Sequence, residues 1–208
     1  MKVRDFRTSR RKVIPDEYNG WVHLTALMLS CIITISTLLQ FIQFGLFECL
    51  AIPFSFLLAN FVEYIGHRWP MHRKVFGTAR LSKKHSGIHH RFFTEEYMFA
   101  DYPKDFREIL TSKITLLAFI FLAALPLFFI VWSIANLSIA STCLATFTLY
   151  YFCYEILHVS FHSKKMKNFP IIKQLKRTHI VHHNTKLMRE YNFNIFLPVF
   201  DFVFRTYI

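Results

Sequence analysis

Ten of the eleven histidines in this 208-residue chain fall in two windows, 67–90 and 158–183, and their spacing inside those windows is ordered. His67 and His72 read H-x4-H, and His85, His89 and His90 read H-x3-HH. In the second window His158 and His162 read H-x3-H, and His179, His182 and His183 read H-x2-HH. Residues three or four apart share a helix face, so each group can aim two imidazoles at one point. The adjacent third histidine of each HH pair points about 100° away and can serve a neighbouring metal. Imidazole suits iron, zinc, copper and nickel alike, so the donors indicate metal without naming it. Ten are too many for one closed, four-coordinate structural zinc. They suit two metals, each with several nitrogens and room for an exogenous ligand. A satisfied interfacial histidine is the plain reading of any one of them, but not of the ordered set.

The two windows also repeat each other. Each half runs helical hairpin, Glu, two His, basic stretch, then a histidine followed by HH, with Glu63 ahead of His67 and Glu155 ahead of His158. Both acids end an apolar run, where a carboxylate facing lipid is costly. Each is expected to accept an imidazole N–H and fix the ring; the plain alternative is a helix-end carboxylate that reaches water or pairs with Arg68 or Lys164. Asn194 and Asp201 are further candidates for that supporting role, weighed against loop or capping duty. His23 follows Trp21 and has no partner histidine nearby, so it is expected to be an interfacial residue.

The elements that position these groups are apolar. The chain is 53% hydrophobic and 18% aromatic, with 25 Phe and a mean hydropathy of +0.30, too greasy for a soluble domain and too apolar for disorder. Cys31, Cys49, Cys143 and Cys153 sit in apolar runs with no C-x-x-C pair, which excludes a disulfide scaffold. No small-residue cleavage site follows the first apolar stretch, so no cleavable signal is expected. From Tyr18 to Val62 the only charged residue is Glu48, and from Ile114 to Tyr154 there is none. At about 20 residues per crossing, each stretch holds two helical spans. The expected spans are 21–43, 46–66, 114–133 and 137–157, turning near Gly45 and near Ser133–Asn136. Pro53 and Pro126 are expected to kink their spans without ending them.

All 25 Lys and Arg fall in three segments: six in 1–12, ten in 68–113 and nine in 164–205. With four spans these segments share one side, which the positive-inside rule makes cytoplasmic. The expectation is therefore one all-α domain over 1–208: a four-helix integral membrane anchor with cytosolic histidine-rich helical segments, 67–113 and 158–208, holding two metals. The active face would be cytoplasmic, at the inner membrane of a bacterium or the endoplasmic reticulum of a eukaryote. Basic residues facing anionic headgroups account for the net charge of +12, so no nucleic-acid partner is expected. Metals held at the membrane face over an apolar cavity make lipid chains the natural substrates. Phe92, Phe93, Tyr97, Phe99, Phe193, Phe196 and Phe200 are candidates to line that cavity, with interfacial packing as the plainer role for any one of them.

Four segments carry a family resemblance: EYIGHRWPMH (63–72), KKHSGIHHRFFTEEYM (83–98), YEILHVSFH (154–162) and HIVHHNTKLMREYNFNIFLPVFDFVFRTY (179–207). The chain resembles the fatty acid hydroxylase / sterol desaturase superfamily, in particular its small bacterial members without a fused cytochrome domain. The resemblance implies that all ten histidines are ligands of a non-haem diiron centre, a site that zinc can also occupy. It implies O2-dependent hydroxylation or desaturation of an unactivated C–H of a fatty acyl or sterol-like lipid, with electrons from a separate reductase or from a ferredoxin- or cytochrome-like donor. Two positions depart from the family pattern. Arg205 stands where relatives commonly have Gly, which predicts an altered turn, and Thr111-Ser112 stands where many have Pro-Pro.

Rival classes fit less well. A metal transporter would place ionisable ligands near the bilayer midplane, and a b-type cytochrome would pair axial histidines on facing spans. A dinuclear zinc hydrolase acting on lipids is the nearest alternative, since zinc takes imidazole equally well, but it would be expected to use carboxylate ligands too.

Overall fold

Four helices are long and apolar enough to cross a membrane: Gly20–Leu39, Leu46–Met71, Pro103–Ile134 and Leu137–Phe161. They come from a computed structural model that describes residues 2–73, 75–164 and 170–208. In chain order the helices are α1 (Val3–Lys12), α2 (Gly20–Leu39), α3 (Leu46–Gly66), α4 (Ala79–Lys84), α5 (His90–Phe92), α6 (Lys113–Phe119), α7 (Leu125–Ile134), α8 (Leu137–Phe161), α9 (Pro170–His182) and α10 (Val199–Val203). No strand is present among the described residues. The fold is all-helical, as the hydropathy pattern requires.

Local chemistry sets the boundaries. Asn19 caps α2 by accepting the Trp21 and Val22 amides, and Asn136 caps α8 through the Ile139 amide. The first span stops at Leu39, four residues short of the expected 43, and the Gln43 amide in the following turn donates to Ser138 at the start of α8. The fourth runs on to Phe161 and so carries His158 on regular helix, with His162 as its C-cap. Pro53 lies inside α3. Pro126 follows a π-helical turn, Ile120–Ala124, that joins α6 to α7. Its ring cannot donate to the preceding turn, and a local change of register is one way a helix absorbs that loss.

Helix α8 is the hub, packed against α2, α3 and α7. Its buried face includes Ala140, Ser141 and Ala145, small residues that let neighbouring helices approach closely. Outward, Val22, Ile33, Leu50, Phe54 and Leu122 are exposed, as a lipid-facing surface demands. At the histidine-bearing end the short helices and loops pack directly onto the spans. Gly20 marks the tightest approach: a Cβ there would sit 2.2 Å from the Pro103 carbonyl oxygen.

The basic α1 does not simply face headgroups. Arg7 is buried, and Arg7, Arg10 and Arg11 pair with Asp101, Asp105 and Glu108. Lys84 pairs with Glu108 as well. For these four cations the headgroup reading of the charge is corrected: their counter-charges are internal.

Candidate metal centre

The histidines converge into two tight sets. His67, His72, His85, His90 and His182 form one, and His89, His158, His162 and His179 form the other; within each, the donor atoms lie within 4.8 Å of one another and every residue is buried. His183 belongs to neither set as tightly, but its Nε2 lies 3.1 Å from that of His179 and its ring stacks on His90 at 4.3 Å. All ten predicted histidines are thus brought together, and His23 is not: its Nδ1 meets the Tyr18 hydroxyl at 2.8 Å.

The pairing differs from the simple helical expectation. His67–Met71 and His85–His89 are π-helical turns, whose hydrogen bonds run i to i+5. His85 therefore groups with His90, five residues on, while His89 turns to the other set. In the second window His179 meets His183, four residues on, and His182 crosses to the first set. Each set thus borrows one histidine from the other half of the chain.

The rings present bare nitrogens to one another. His67 and His182 give their Nδ1–H groups to the carbonyls of Phe193 and Tyr191. The Ser86 hydroxyl donates to the Met71 carbonyl, so its oxygen is left to accept from His72 Nδ1. In neutral rings held this way the Nε2 atoms carry only lone pairs, yet those of His72 and His182 lie 2.9 Å apart and those of His182 and His67 3.1 Å apart. Lone pairs cannot bond each other; a cation between them satisfies all three. In the second set His89 and His162 give Nδ1–H to the carbonyls of Glu108 (2.6 Å) and Met98 (2.8 Å), and His183 gives its own to that of Phe93 (2.6 Å). The Nε2 atoms of His89 and His158 are buried with no hydrogen-bond partner among the described residues. The donor set therefore fits metal. Burial also pushes His72, His85, His89, His90, His162, His179, His182 and His183 far below the usual imidazole range, which keeps them as ligands.

Glu63 acts one step further out than expected, through the loop at 193–195. Neither Glu63 nor Glu155 accepts an imidazole N–H among the described hydrogen bonds; backbone carbonyls take that place. Glu63 instead receives the Ile195 amide at 2.5 Å, Asn194 Nδ2 at 3.1 Å and the Tyr150 hydroxyl. Asp201, its carboxyl pushed up by burial, accepts the amides of Phe193 (2.9 Å) and Asn194 (2.7 Å) and the Thr206 hydroxyl. Asn194 also donates to the Asn60 carbonyl at 3.0 Å. Glu63, Asn194 and Asp201 together hold the loop whose Phe193 carbonyl orients His67. Glu155 accepts the Tyr151 hydroxyl at 2.8 Å and the Thr111 amide at 3.2 Å.

An apolar cavity of about 400 Å³ lies between α3, the third span and α8, bounded by Ala59, Ile65, Ala118, Phe119 and Leu122 and reaching His67. That volume is in the range of small-molecule sites. None of the seven aromatics proposed as lining borders it; Phe92, Phe93 and Phe193 are packed at 0% exposure. Met71, Leu81, Thr111, Thr115 and Tyr154 border both this cavity and a chamber of about 30 Å³, room for roughly one water. His85, His89 and His158 line that chamber, so both histidine sets face it.

The fatty acid hydroxylase family model matches residues 52–206. The chain belongs to the fatty acid hydroxylase family. No curated protein matches it. Among solved structures it is similar to full-length scs7p, in which only the hydroxylase domain is visible, with a TM-score of 0.64 and 22% identity over 91% of this chain and 67% of that one. At that identity the likeness is one of fold. As a fatty acid hydroxylase family member the chain is a multi-pass membrane protein of the metal-binding oxidoreductase kind, and its departures can now be read. Arg205 takes a left-handed backbone, φ 54°, a conformation that glycine adopts freely and arginine resists. The Thr111 amide bonds Glu155 and the Ser112 hydroxyl caps α6; a proline at 111 would have no N–H to give.

The orienting carbonyls and the arginines of α1 were missed from sequence. The carbonyls leave no mark in it. The arginines do in part: Arg7 and Arg11 are four apart, as are their partners Asp101 and Asp105.

Proposed function

We propose that the chain is a membrane-bound non-haem diiron oxidoreductase that uses O2 to hydroxylate or desaturate an unactivated C–H of a fatty acyl or sterol-like lipid. The observation that carries this is the apolar cavity among the spans that ends, through a water-sized chamber, at both histidine sets. All ten histidines are the ligands, and the chain acts as one domain over 1–208. Two irons bound there would supply O2 activation and two-electron oxidation of a C–H bond, given two electrons from a separate reductase or ferredoxin-like donor.

The chain's own residues do the rest. The walls of α3, α6 and α8 take a lipid chain from the bilayer and exclude water from it. Tyr154 and Thr115, at the junction of the two chambers, fix how far the chain reaches. Carbonyls hold His67, His89, His162, His182 and His183 in place before substrate arrives, so little reorganisation of these rings is needed at reaction. The donor chemistry disfavours the zinc hydrolase, since no carboxylate joins either set among the described residues. The three basic segments, 1–12, 68–113 and 164–205, support a cytoplasmic active face.

The test uses detergent-purified protein from iron-supplemented cells. About two irons per chain are expected, and lipid incubated with O2 and a reducing donor should gain one oxygen or lose two hydrogens. Ala118→Trp, which fills the cavity, should cut this oxidation about 100-fold with the metal content unchanged. One metal, none, or a porphyrin would sink the reading. Two zincs with ester cleavage and no oxidation would favour the hydrolase.

A further inference from the structure

We propose that Arg7, on the N-terminal helix outside the family match, is a positioning residue for the second histidine set. The proposal rests on the metal reading of that set. Three rings at this side, His89, His162 and His183, are oriented by the carbonyls of Glu108, Met98 and Phe93. All three carbonyls belong to 93–108, which follows α5 and has no regular structure before Pro103–Glu108 turns as a 3₁₀ helix. An irregular segment holds its carbonyls only as firmly as something else holds the segment.

Arg7 is what holds it. Its side chain is 4% exposed, and Nη1 donates to the carbonyls of Phe92 (3.3 Å) and Tyr97 (3.0 Å). Nη2 donates to the Phe99 carbonyl and to Asp101 Oδ2, both at 2.8 Å. These acceptors flank Phe93 on one side and Met98 on both. The guanidinium also lies over the Phe92 ring at 4.6 Å. Next to it, Arg11 grips both oxygens of Asp105 at 2.7 Å and Arg10 reaches Glu108 at 2.7 Å, fixing the residue whose carbonyl orients His89. Only a planar fork can serve four acceptors at once; a lysine ammonium in its place cannot. No hydrogen bond joins Arg7 to an imidazole among the described residues, so it acts through the loop. The first set is oriented by Phe193, Tyr191 and Ser86, and among the described residues no side-chain hydrogen bond joins α1 to any of them.

The experiment loads the full-length protein in detergent with cobalt(II) and follows release of each ion to a chelator. Arg7→Met should release one of two cobalts about tenfold faster or more, the scale on which partners that orient metal-binding histidines act, and leave the other at the wild-type rate. Arg7→Lys should fall between, and it carries the comparison if Arg7→Met cannot be recovered folded. In a His72→Ala background, where the second set keeps its ion, the Arg7 effect should persist; in a His158→Ala background it should vanish. Unchanged release of both ions, or equal acceleration of both in folded protein, would overturn the proposal. Wild-type protein that binds no cobalt would instead bring down the metal reading and this proposal with it.

Discussion

The two histidine sets use one kind of donor but hang on two kinds of support. The first leans on the C-terminal loop, where Asp201 and Glu63 collect the amides of residues 193–195 and Asn192 takes the Ile208 amide at 3.0 Å. Its braces are hydrogen bonds from backbone, and all but the last lie inside the family match. The second leans on the loop 93–108, braced by guanidinium groups from α1, which lies outside that match. On the metal reading the imidazoles are the donors themselves and cannot be exchanged without weakening the site. The supports can, because any device that fixes a carbonyl orients a ring.

The histidines lent across the halves break this comparison most severely. His89 is one of four in its tight set and His182 one of five. His89→Ala leaves three close imidazoles and the looser His183, and should empty its site, taking the metal ratio from about two to about one and oxidation down by at least about 100-fold. His182→Ala should lose oxidation too, but retain its ion with an affinity weakened by roughly 10- to 100-fold. Elemental analysis after dialysis separates them. If His182→Ala empties its site while His89→Ala keeps both ions, the asymmetry between the sets is not real.

Acid should act on both sets alike. Unfolded, each imidazole gains a proton as pH falls through about 6.5. Folded, burial holds rings such as His89 and His182 neutral to far lower pH. Below about pH 6.5 the unfolded chain thus binds more protons, so stability drops as pH drops, by up to about 1.4 kcal/mol per imidazole per pH unit. Above that pH the effect disappears. Metal release between about pH 6.5 and 5, with one midpoint for both ions, is expected in a titration followed by metal content. Two midpoints more than about one unit apart would mean that the supports, rather than the rings, set acid sensitivity.

The spans and the ligands were legible in the sequence because each is written in side chains. Charge gaps around Tyr18–Val62 and Ile114–Tyr154 marked the hairpins, and histidine spacing marked the centre. The grouping was misread because α-helical periodicity was assumed where His67–Met71 and His85–His89 are π turns, in which a spacing of five shares a face. The role of Glu63 was placed one contact too close, since the acceptor at His67 is a carbonyl, which every residue has, and Glu155 binds Tyr151 and Thr111 rather than a ring. Aromatics near the histidines were offered as cavity lining, but the cavity formed where small and aliphatic residues such as Ala59 and Ala118 leave space between spans. The side chains of Phe92, Phe93 and Phe193 fill their own space.

The smallest expected effect concerns the turn that closes the first set's support. Arg205 sits at φ 54°, where a side chain crowds the backbone by roughly 1 kcal/mol or more and glycine does not. The conformation persists because its neighbour is fixed: the Thr206 amide donates to the Asp201 carbonyl at 2.7 Å, and the Thr206 hydroxyl to the Asp201 carboxylate at 2.7 Å. The Arg205 side chain is exposed, so little packing is lost by removing it. Arg205→Gly should therefore raise stability by about 1 kcal/mol or less, glycine's greater freedom in the unfolded chain offsetting part of the gain. Thermal unfolding would show the rise. Since Asp201 also holds the Phe193 amide, release of the first set's ion should slow slightly while the second is unchanged. A lower melting temperature would mean that Arg205 makes a stabilising contact that outweighs its backbone strain.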